Sequence, residues 1–461
     1  MQSPSWLGRR VELRIESIAH GGHCVARHEG RVVFVRHTLP GEVVLAEITE
    51  DRGGSFCRAD AVQILTAAPE RVGPRCPYAH PGGCGGCDFQ HVDLAAQRRL
   101  KAAVVTEQLQ RLAGLDRPVT VEGLAEPSTA PAAGEYTNNG TADDGTLDPG
   151  TEPNGLGWRR RVRFAVAPNG QLGLRAHRSH SVVVIDHCPI GAPGVGDSSV
   201  LEARWVGVDE VEVAADDEGE VAVLSHREVP VRQSNRPGKQ RGKQHGSKQG
   251  NHNGRQARTR TETEHVAGPE SLRYSAWGRG FEVSAGGFWQ THPRAAEVFT
   301  DTVLAATELA PGEKALDLYA GSGLFTAALA EAVGTTGRVI GIEAAAAAVS
   351  DAAGNLAELP WAAVRRAGVT AATVAAGVAE LGGVDVVVLD PPRTGAGRDV
   401  MSAMLSAGPR AIVYVACDPA ALARDVHTAV EAGWRLDGLR AFDAFPMTHH
   451  VECIAVLRPV L

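Results

Sequence analysis

The 461-residue sequence is poor in aromatic residues (5%) and has no apolar stretch near the ~20 residues that a membrane-spanning helix needs. Residues 1–17 mix charged and apolar side chains and lack the apolar centre of a secretory signal peptide. These absences predict a cytoplasmic protein without a membrane segment. Acidic residues outnumber basic ones, giving a net charge of −8, so any nucleic-acid binding has to come from local patches.

Cysteine is also scarce, with eight residues, but three of them are clustered. In a reducing cytoplasm a metal site or catalysis explains such a cluster better than disulfides do. Cys76, Cys84 and Cys87, with glycines between them and Cys188 as a distant fourth thiol, could hold zinc or a [4Fe-4S] cluster. Their spacing does not match the Cys-x3-Cys-x2-Cys motif of radical S-adenosylmethionine enzymes. The alternative is a set of unrelated buried thiols.

The chain is long enough for about three domains. Residues 8–65 contain about five short strand patterns separated by glycine turns, which predicts a small barrel with or without a ligand. Residues 94–112 predict a helix that ends at Gly114. The polar segments 127–157 and 232–265 predict disorder. The second segment is basic between Arg232 and Arg260, and it could be an RNA-contacting tail or a solvated insertion.

From residue 286 onward, strand patterns alternate with helix patterns, which predicts a doubly wound α/β domain with a mostly parallel sheet. A loop containing Gly321 and Gly323 separates the first strand from the next helix. Thr326 replaces the third glycine of a dinucleotide fingerprint, which disfavours NAD. Glu343 ends the following strand, where an acid can bind ribose hydroxyls. Loop and acid together favour S-adenosylmethionine, and the alternative is a purely structural glycine turn.

Ligands of open α/β sheets bind beyond the carboxyl ends of the strands. Asp390 follows one predicted strand there, and Cys417 follows the next. Cys417 could be a nucleophile in the cleft or a buried structural cysteine. Arg393 stands where adenine amino-methyltransferases carry an aromatic residue, and the Asp390 loop lacks the cysteine of DNA cytosine methyltransferases. Glu452 precedes the last strand, either beside the cleft or as a solvated acid.

These motifs together resemble the RNA uracil-C5 methyltransferase family, which makes 5-methyluridine in rRNA and tRNA. The resemblance covers nearly the whole chain outside the two polar segments. The motifs that carry it are Tyr414-Val415-Ala416-Cys417-Asp418-Pro419, Phe445-Pro446-x-Thr448-x-His450-x-Glu452, Asp317 to Gly323, Phe288-Trp289-Gln290 and the TRAM-like Gly30-Arg31-Val32-Val33-Phe34-Val35.

The resemblance implies a Rossmann-like class I methyltransferase domain at 286–461, an RNA-binding TRAM/OB-like β-barrel at 1–68 and a central α+β iron–sulfur domain at 69–285. It implies S-adenosylmethionine and a [4Fe-4S] cluster as cofactors. It implies Cys417 as nucleophile, Glu452 as base and Asp390 as the residue that orients the target base. The implied cofactor-binding residues are Gln290, Tyr319, Gly321, Gly323, Glu343 and Asp390. The implied cluster ligands are Cys76, Cys84, Cys87 and Cys188.

The function expected from this resemblance is methylation of uracil C5 in RNA through a transient bond between Cys417 and C6 of the ring. By analogy 23S rRNA is the expected substrate, with a tRNA T-loop uridine as the alternative. The barrel, the cluster domain and the arginine-rich stretch 158–178 are expected to grip the RNA, and the protein is expected to be a monomer. A methyltransferase of small molecules or proteins, and a non-catalytic RNA-binding factor, are two further classes. The first does not need both Cys417 and Glu452, and the second should lack the cysteine or the cofactor loop.

Overall fold

The computed structural model describes residues 5–124, 155–230 and 259–460. Its N-terminal part is a closed five-stranded barrel of order β1-β2-β3-β5-β4, so the prediction of a small barrel is confirmed. Buried and exposed side chains alternate along β1, since neighbouring side chains of a strand point to opposite faces. The strands are β1 (Arg10–Ile18), β2 (Cys24–His28), β3 (Arg31–Arg36), β4 (Val43–Glu50) and β5 (Phe56–Thr66).

A helix, α1 (Leu94–Gln108), follows the cysteine-rich loop. Asp93 caps its first turn by accepting a hydrogen bond from the Ala96 amide at 2.8 Å. The helix continues as a π-helical turn over Leu109–Ala113 and ends at Gly114, whose φ of 69° suits glycine. Leu112 is 36% exposed because the wider π turn rotates it away from the buried face of the helix.

The central region is a six-stranded antiparallel sheet of order β12-β11-β10-β7-β8-β9, beside a hairpin of β13 and β14. A short 3-10 turn covers Ser199–Leu201. The strands are β7 (Arg161–Val166), β8 (Leu172–Arg175), β9 (Val182–Val184), β10 (Glu210–Ala215), β11 (Val221–Pro230), β12 (Thr259–Ala267), β13 (Ser271–Ala276) and β14 (Arg279–Ser284).

Strand β12 corrects part of the predicted disorder over 232–265, because residues 259–267 pair with β11. This edge strand is exposed along its whole length, so it carries no apolar pattern, and backbone hydrogen bonds and β-branched threonines support it instead. The predictions for 127–154 and 232–258 fall outside the described residues. At the end of the first segment Gly155 is buried against Leu94 and Pro446.

The C-terminal part contains an eight-stranded sheet of order β17-β16-β15-β18-β19-β21-β20-β6, with helices on both faces. The first five strands in this order are parallel, as predicted, and β21 is antiparallel to β19. The strands are β6 (Val121–Gly123), β15 (Lys314–Leu318), β16 (Arg338–Glu343), β17 (Ala362–Arg366), β18 (Val386–Leu389), β19 (Ala411–Ala416), β20 (Trp434–Asp443) and β21 (Glu452–Pro459).

Buried aliphatic side chains form a core on each face of this sheet. The helices of this part are α2 (Ala295–Thr307), α3 (Leu324–Val333), α4 (Ala346–Asn355), α5 (Ala371–Leu381), α6 (Arg398–Ser406) and α7 (Pro419–Glu431). The predicted fold class, a doubly wound α/β domain with a small barrel and a central α+β region, is therefore confirmed. Among the described ranges, no helix has the length and apolar character needed to cross a membrane.

Candidate active site

The loop between β15 and α3 has the backbone of a ligand-binding turn. Tyr319 adopts a φ of 64°, which is uncommon for a residue with a side chain, and its amide donates to the Ile342 carbonyl at 2.9 Å. Gly321 and Gly323 have φ values of 54° and 92°. A carbon added at Gly321 would meet no atom within 4 Å, so this part of the loop faces open space.

Glu343, at the end of β16, is fixed beside this loop. Its carboxylate accepts hydrogen bonds from the Gly321 amide at 3.1 Å and the Ala345 amide at 2.7 Å. Each carboxylate oxygen can accept a further hydrogen bond, so Glu343 keeps acceptor capacity at the position where ribose hydroxyls are expected to bind. The structure thus brings Tyr319, Gly321, Gly323 and Glu343 together.

Asp317 lies under the same loop and is completely buried. Thr326 donates to one of its carboxylate oxygens at 2.5 Å, while the other oxygen is buried without a partner among the described residues. Burial raises the pKa of the Asp317 carboxyl to about 7. A buried acceptor without a donor is costly, so the loop fits a ligand that brings a hydrogen-bond donor, such as the amino group of S-adenosylmethionine.

Two supports of the cofactor region were not predicted from the sequence. Asn355 donates to the Ser322 carbonyl at 3.0 Å and accepts from the Glu282 amide at 2.9 Å, so it ties the loop to β14. Trp289 stacks on Tyr274 with ring centroids 4.9 Å apart, which fixes the backbone beside the buried Gln290. Both contacts join residues far apart in sequence, and no local pattern signals them.

Asp390 directly follows β18, next to the end of β15, where its amide donates to the Leu318 carbonyl at 3.2 Å. The remainder of its loop is held by Asp425 of α7, which accepts from the Ala396 amide at 2.8 Å and the Tyr414 hydroxyl at 2.7 Å. Burial raises the pKa of the Asp390 carboxyl to about 7. Asp390 is therefore held rigidly at the carboxyl edge of the sheet, as predicted.

Cys417 follows β19 at the same edge, immediately before α7. Asp418 caps this helix by accepting from the Ala421 amide at 2.7 Å, and its other oxygen contacts His20 of the barrel at 3.1 Å. Burial raises the pKa of the Cys417 thiol to about 12, the nearby carboxylates of Glu452 and Asp390 add to this effect, and the Arg393 guanidinium opposes it. The thiol is half-buried and protonated at neutral pH.

Glu452 begins β21, which is antiparallel to β19, so its carboxylate lies at the carboxyl edge beside Cys417. It is only 4% exposed. Burial and the neighbouring Asp390 carboxylate raise its pKa well above the ordinary value, and the Arg393 guanidinium lowers it in part. Nη2 of Arg393 lies 3.3 Å from Nε2 of His450. The thiol and the carboxylates of Asp390 and Glu452 therefore share one cleft, with Arg393 nearby.

The segment 443–450 that leads into Glu452 is clamped by residues outside the α/β domain. Lys101 of α1 is fully buried, forms an ion pair with Asp443 and donates to the Phe445 carbonyl at 3.0 Å. Gln97, one helical turn earlier, accepts from the Met447 amide at 2.8 Å. Both polar residues lie on the buried face of α1, which is the sequence signal that could have identified them.

The cysteine loop also binds this segment. The amides of Asp88 and Phe89, directly after Cys87, donate to the Met447 carbonyl at 3.0 and 2.9 Å. Oδ2 of Asp88 lies 2.5 Å from Nδ1 of His449. The backbone that precedes Glu452 is therefore shared between the α/β domain and the cysteine loop.

Cys76, Cys84, Cys87 and Cys188 all line one small cavity, together with apolar residues and Arg159. The predicted set of four thiols is thus brought together. Among the described residues, however, no three histidine, cysteine or acidic side chains are arranged to hold a metal ion.

The arginine-rich stretch 158–178, expected to grip RNA, is largely neutralised within the central sheet. Arg161 and Arg163 pair with Glu212, and Arg175 pairs with Glu210 at 2.9 Å. These arginines hold neighbouring strands together. Arg178, by contrast, reaches towards the barrel, where its side chain lies 3.7 Å from Glu50.

The profile of the tRNA (uracil-5-)-methyltransferase family matches residues 197–459, and the profile of the TRAM domain matches residues 4–62. The chain belongs to the tRNA (uracil-5-)-methyltransferase family. It is therefore an S-adenosylmethionine-dependent enzyme that methylates uracil C5 in RNA, which confirms the expected reaction and methyl donor. Both family profiles cover elements of the site just described, since the first contains Cys417 and Glu452 and the second contains His20.

Relatives within this methyltransferase family cover the chain almost completely. An RNA methyltransferase of Streptomyces avermitilis is 44% identical over 98% of this chain and 99% of its own length. A protein of Alkalilimnicola ehrlichii named 23S rRNA (uracil(1939)-C(5))-methyltransferase is 32% identical over 97% and 96%. Among solved structures, the tRNA (uracil-54, C5)-methyltransferase of Pyrococcus abyssi shares the fold, with a TM-score of 0.62, 20% identity and coverage of 97% of this chain and 100% of that one.

Proposed function

We propose that the enzyme methylates a uridine of 23S rRNA, and that Cys417 bonds covalently to C6 of the uracil ring during the reaction. The mechanism is supported by one observation, that Cys417, Asp390 and Glu452 lie in one cleft beside the cofactor loop. The choice of 23S rRNA is supported by the full-length relatives of Alkalilimnicola ehrlichii and Shewanella baltica, both named for this substrate. A tRNA uridine is the second candidate, favoured by the description of the matching family.

Uracil C5 is a weak nucleophile, and the thiolate of Cys417 activates it by adding its electron pair to C6. The C5–C6 π electrons then move towards C5 and O4, which gives an enolate with carbanion character at C5. S-adenosylmethionine, when bound, supplies an electrophilic methyl group that C5 can attack. A thiolate suits the addition because it is strongly nucleophilic and also leaves easily.

The C5 atom then carries both a methyl group and its original hydrogen. Glu452 removes this hydrogen as a proton, the released electron pair restores the C5–C6 double bond, and the C6–S bond breaks to return the thiolate. General-base assistance of this kind contributes roughly 10²–10⁴ in rate. The raised pKa of the buried Glu452 carboxyl makes it a stronger base than a solvated glutamate.

The roles of the remaining residues complete the proposal. Asp390 holds the target base, which has to leave its stack to enter the cleft. Gln290, Tyr319, Gly321, Gly323 and Glu343, with Asp390, hold the cofactor. Because the Cys417 thiol is protonated in the free enzyme, it has to lose its proton to water before the addition, and Arg393 favours the resulting thiolate.

The thiols of Cys76, Cys84, Cys87 and Cys188 are proposed to hold a [4Fe-4S] cluster. The reaction needs no electron transfer, so the cluster is assigned a structural role. We also propose the domain boundaries 1–68, 69–285 and 286–461, a monomeric state and a cytoplasmic location.

The deciding experiment follows transfer of a tritiated methyl group from the cofactor to bulk RNA isolated from cells that lack the enzyme. We expect label in 5-methyluridine of large-subunit rRNA, and no transfer by a Cys417→Ala variant whose iron content is unchanged. Label in the tRNA fraction would favour the second candidate. Turnover by Cys417→Ala would overturn the covalent mechanism, while label on other bases would overturn the choice of uracil C5.

A further inference from the structure

Arg393 supplies a positive charge beside the reacting groups. Burial raises the pKa of the Cys417 thiol and of the Glu452 carboxyl, and in both cases the Arg393 guanidinium opposes this effect. Arg393 is exposed, and a long exposed side chain samples many rotamers unless a contact holds it. The charge therefore acts fully on the cleft only if another group keeps the guanidinium in place.

His450 provides a contact of this kind. Nη2 of Arg393 lies 3.3 Å from Nε2 of His450. An arginine side chain has hydrogen-bond donors but no acceptor, so Nε2 has to accept and the imidazole proton has to be on Nδ1. Burial lowers the pKa of His450 to about 3, with His449 and Arg393 adding to this effect, so the ring is neutral at neutral pH.

The His450 ring is held from two sides. The ring of Phe445 meets it edge-on with ring centroids 5.9 Å apart, and the ring of His449 lies against it with centroids 4.1 Å apart. His449 is fixed in turn, because its Nδ1 lies 2.5 Å from Oδ2 of Asp88. The cysteine loop, to which Asp88 belongs, therefore supports the orientation of His450.

The backbone before His450 follows a strained turn. The Thr448 amide donates to the Phe445 carbonyl at 3.2 Å, which closes the turn, and Met447 inside it has a φ of 67°. Such a φ is uncommon for a residue with a side chain, and it persists where surrounding contacts impose it. The His450 amide then donates to Oγ1 of Thr448 at 3.3 Å. The contacts of this segment thus set where the imidazole lies.

The loop that carries Arg393 is fixed by a different element. Asp425 of α7 accepts hydrogen bonds from the amides of Ala396 and Gly397 at 2.8 and 3.2 Å, so the backbone just after Arg393 is anchored to this helix. One end of the arginine side chain is therefore held through its backbone, and His450 contacts the other end.

We propose that His450 is a positioning residue for the methyl transfer. Its Nε2 accepts a hydrogen bond from Arg393 and thereby holds the guanidinium beside the Cys417 sulfur and the Glu452 carboxylate. The proposal rests on Cys417 being the nucleophile of the proposed function, and it adds the residue that keeps the positive charge in place while the thiolate forms. The proton of the thiol leaves to water, and His450 itself neither takes nor gives a proton.

The first test replaces His450 by phenylalanine in the full-length enzyme. A phenylalanine ring can pack against Phe445 and His449 in the same way but has no acceptor for Arg393. We expect alkylation of Cys417 by iodoacetamide at pH 8, read by mass spectrometry of its peptide, to slow about fivefold, the scale of one net hydrogen bond. The thiolate is the reacting form, so this rate reports the thiolate fraction. The kcat for RNA methylation should fall by a similar factor.

His450→Gln is the conservative variant. The side-chain carbonyl of glutamine can accept a hydrogen bond close to where Nε2 of the imidazole lies, so alkylation and kcat should return to nearly normal values. His450→Asn is too short to reach Arg393, so it should resemble His450→Phe, and it serves as the second variant if the phenylalanine ring destabilises the fold. His427→Phe is the matched control, because His427 is partly exposed on α7 and lies 3.4 Å from Glu431. It should be alkylated at the normal rate.

A double variant tests whether His450 acts through Arg393. Two residues that act through one shared contact show non-additive effects. Arg393→Gln/His450→Phe should therefore be alkylated no more slowly than Arg393→Gln alone. An additive loss in the double variant would give His450 a separate role and overturn the proposal.

A normal alkylation rate in His450→Phe and His450→Asn, or an equal loss in His450→Gln, would also overturn the positioning role. Slow alkylation in His427→Phe would overturn it too, because the effect would then not depend on contact with Arg393. If Cys417→Ala is inactive while the His450 variants match the control, only the positioning role fails. If Cys417→Ala still methylates RNA, the proposed mechanism fails instead.

Discussion

At the scale of single residues, the surroundings of Cys417 favour the protonated thiol over the thiolate that the reaction needs. Burial and the carboxylates of Glu452, Asp390 and Asp418 raise the pKa of its thiol to about 12, and the Arg393 guanidinium opposes them. A thiol that stays protonated is protected from oxidation and alkylation between turnovers. Its reactivity then depends on how often it loses its proton.

This environment predicts a turnover rate that rises with pH. A group with a raised pKa is mostly protonated below that value, so each pH unit between 6 and 9 should increase the thiolate fraction of Cys417, and with it kcat, by up to about tenfold. The pKa of the Glu452 carboxyl is also raised, so the fraction of Glu452 that can accept a proton also increases with pH. Steady-state rates across this pH range, with RNA integrity checked, would measure the slope.

Replacing Arg393 by Gln should raise the pKa of the thiol further and slow alkylation of Cys417 by iodoacetamide, read by mass spectrometry of its peptide. Arg398→Gln is the control, because this exposed arginine pairs with Glu431 away from the cleft. A flat pH profile, or equal alkylation in both variants, would contradict the proposed role of the thiolate.

The second residue-scale prediction concerns Glu452. Glutamine has the same shape but cannot take a proton, so Glu452→Gln should form the Cys417–RNA bond and stop before release. A denaturing gel should then show a shifted protein–RNA band that depends on the methyl donor. The band should vanish in the Cys417→Ala/Glu452→Gln double variant, and its absence from the single variant would argue against Glu452 as the base.

At the scale of elements, the loop between β1 and β2 joins the barrel to the catalytic segment. Gly22 in this loop has a φ of 78°, and a carbon added there would lie 2.9 Å from Cβ of His449 and 3.0 Å from Asp88. Gly30 has nearly the same φ, 77°, but nothing within 4 Å. Comparing an alanine at Gly22 with an alanine at Gly30 therefore separates the cost of backbone strain from the cost of the steric contact.

Gly22→Ala and Gly30→Ala should share a backbone cost of about 1–2 kcal/mol. Only Gly22→Ala should add the roughly 1–3 kcal/mol of an overpacked contact, and it should also lower kcat because it displaces the segment leading to Glu452. Thermal unfolding and turnover of the two variants measure both effects. Equal losses in the two variants would show that the barrel does not support the catalytic segment.

Local patterns predicted most elements but not the contacts between them. The alternation along β1 and the apolar runs of β15, β18 and β19 each lie within a few consecutive residues, so these strands could be predicted from the sequence. Strand β12 was missed because it is an exposed edge strand with no apolar face. The pairing of β6 with β20, more than 300 residues later, depends on tertiary packing that no local window contains.

The residues of the candidate site likewise divide into those that a local pattern predicts and those whose role depends on tertiary contacts. Cys417, Asp390 and Glu343 could be predicted because each stands at the end of a strand in a parallel sheet, where side chains converge on one edge. Lys101, Gln97 and Asp425 act by holding the backbone of other segments. Their partners lie on different elements, so the sequence could show that Gln97 and Lys101 lie on the buried face of α1 but not which segments these residues hold.

At the scale of the whole molecule, the four-thiol cavity predicts that iron content and stability change together. Cys188→Ser should lose cluster absorbance and iron and lower the thermal midpoint, because Cys188 lies about a hundred residues from the other three thiols and its bond closes a long loop. Cys57→Ser is the control, since this buried thiol belongs to the barrel. Full iron in Cys188→Ser, or equal iron loss in both variants, would contradict the cluster assignment.

The clamp on the segment before Glu452 also has a consequence for the order of folding. Its pairs of Asp88 with His449 and Lys101 with Asp443 join residues 361 and 342 positions apart, and the contact of His20 with Asp418 beside Cys417 spans 398 positions. Contacts between such distant residues form late, because the intervening chain has to be ordered first. During refolding, catalytic competence should therefore return after the barrel and the sheet have regained their secondary structure.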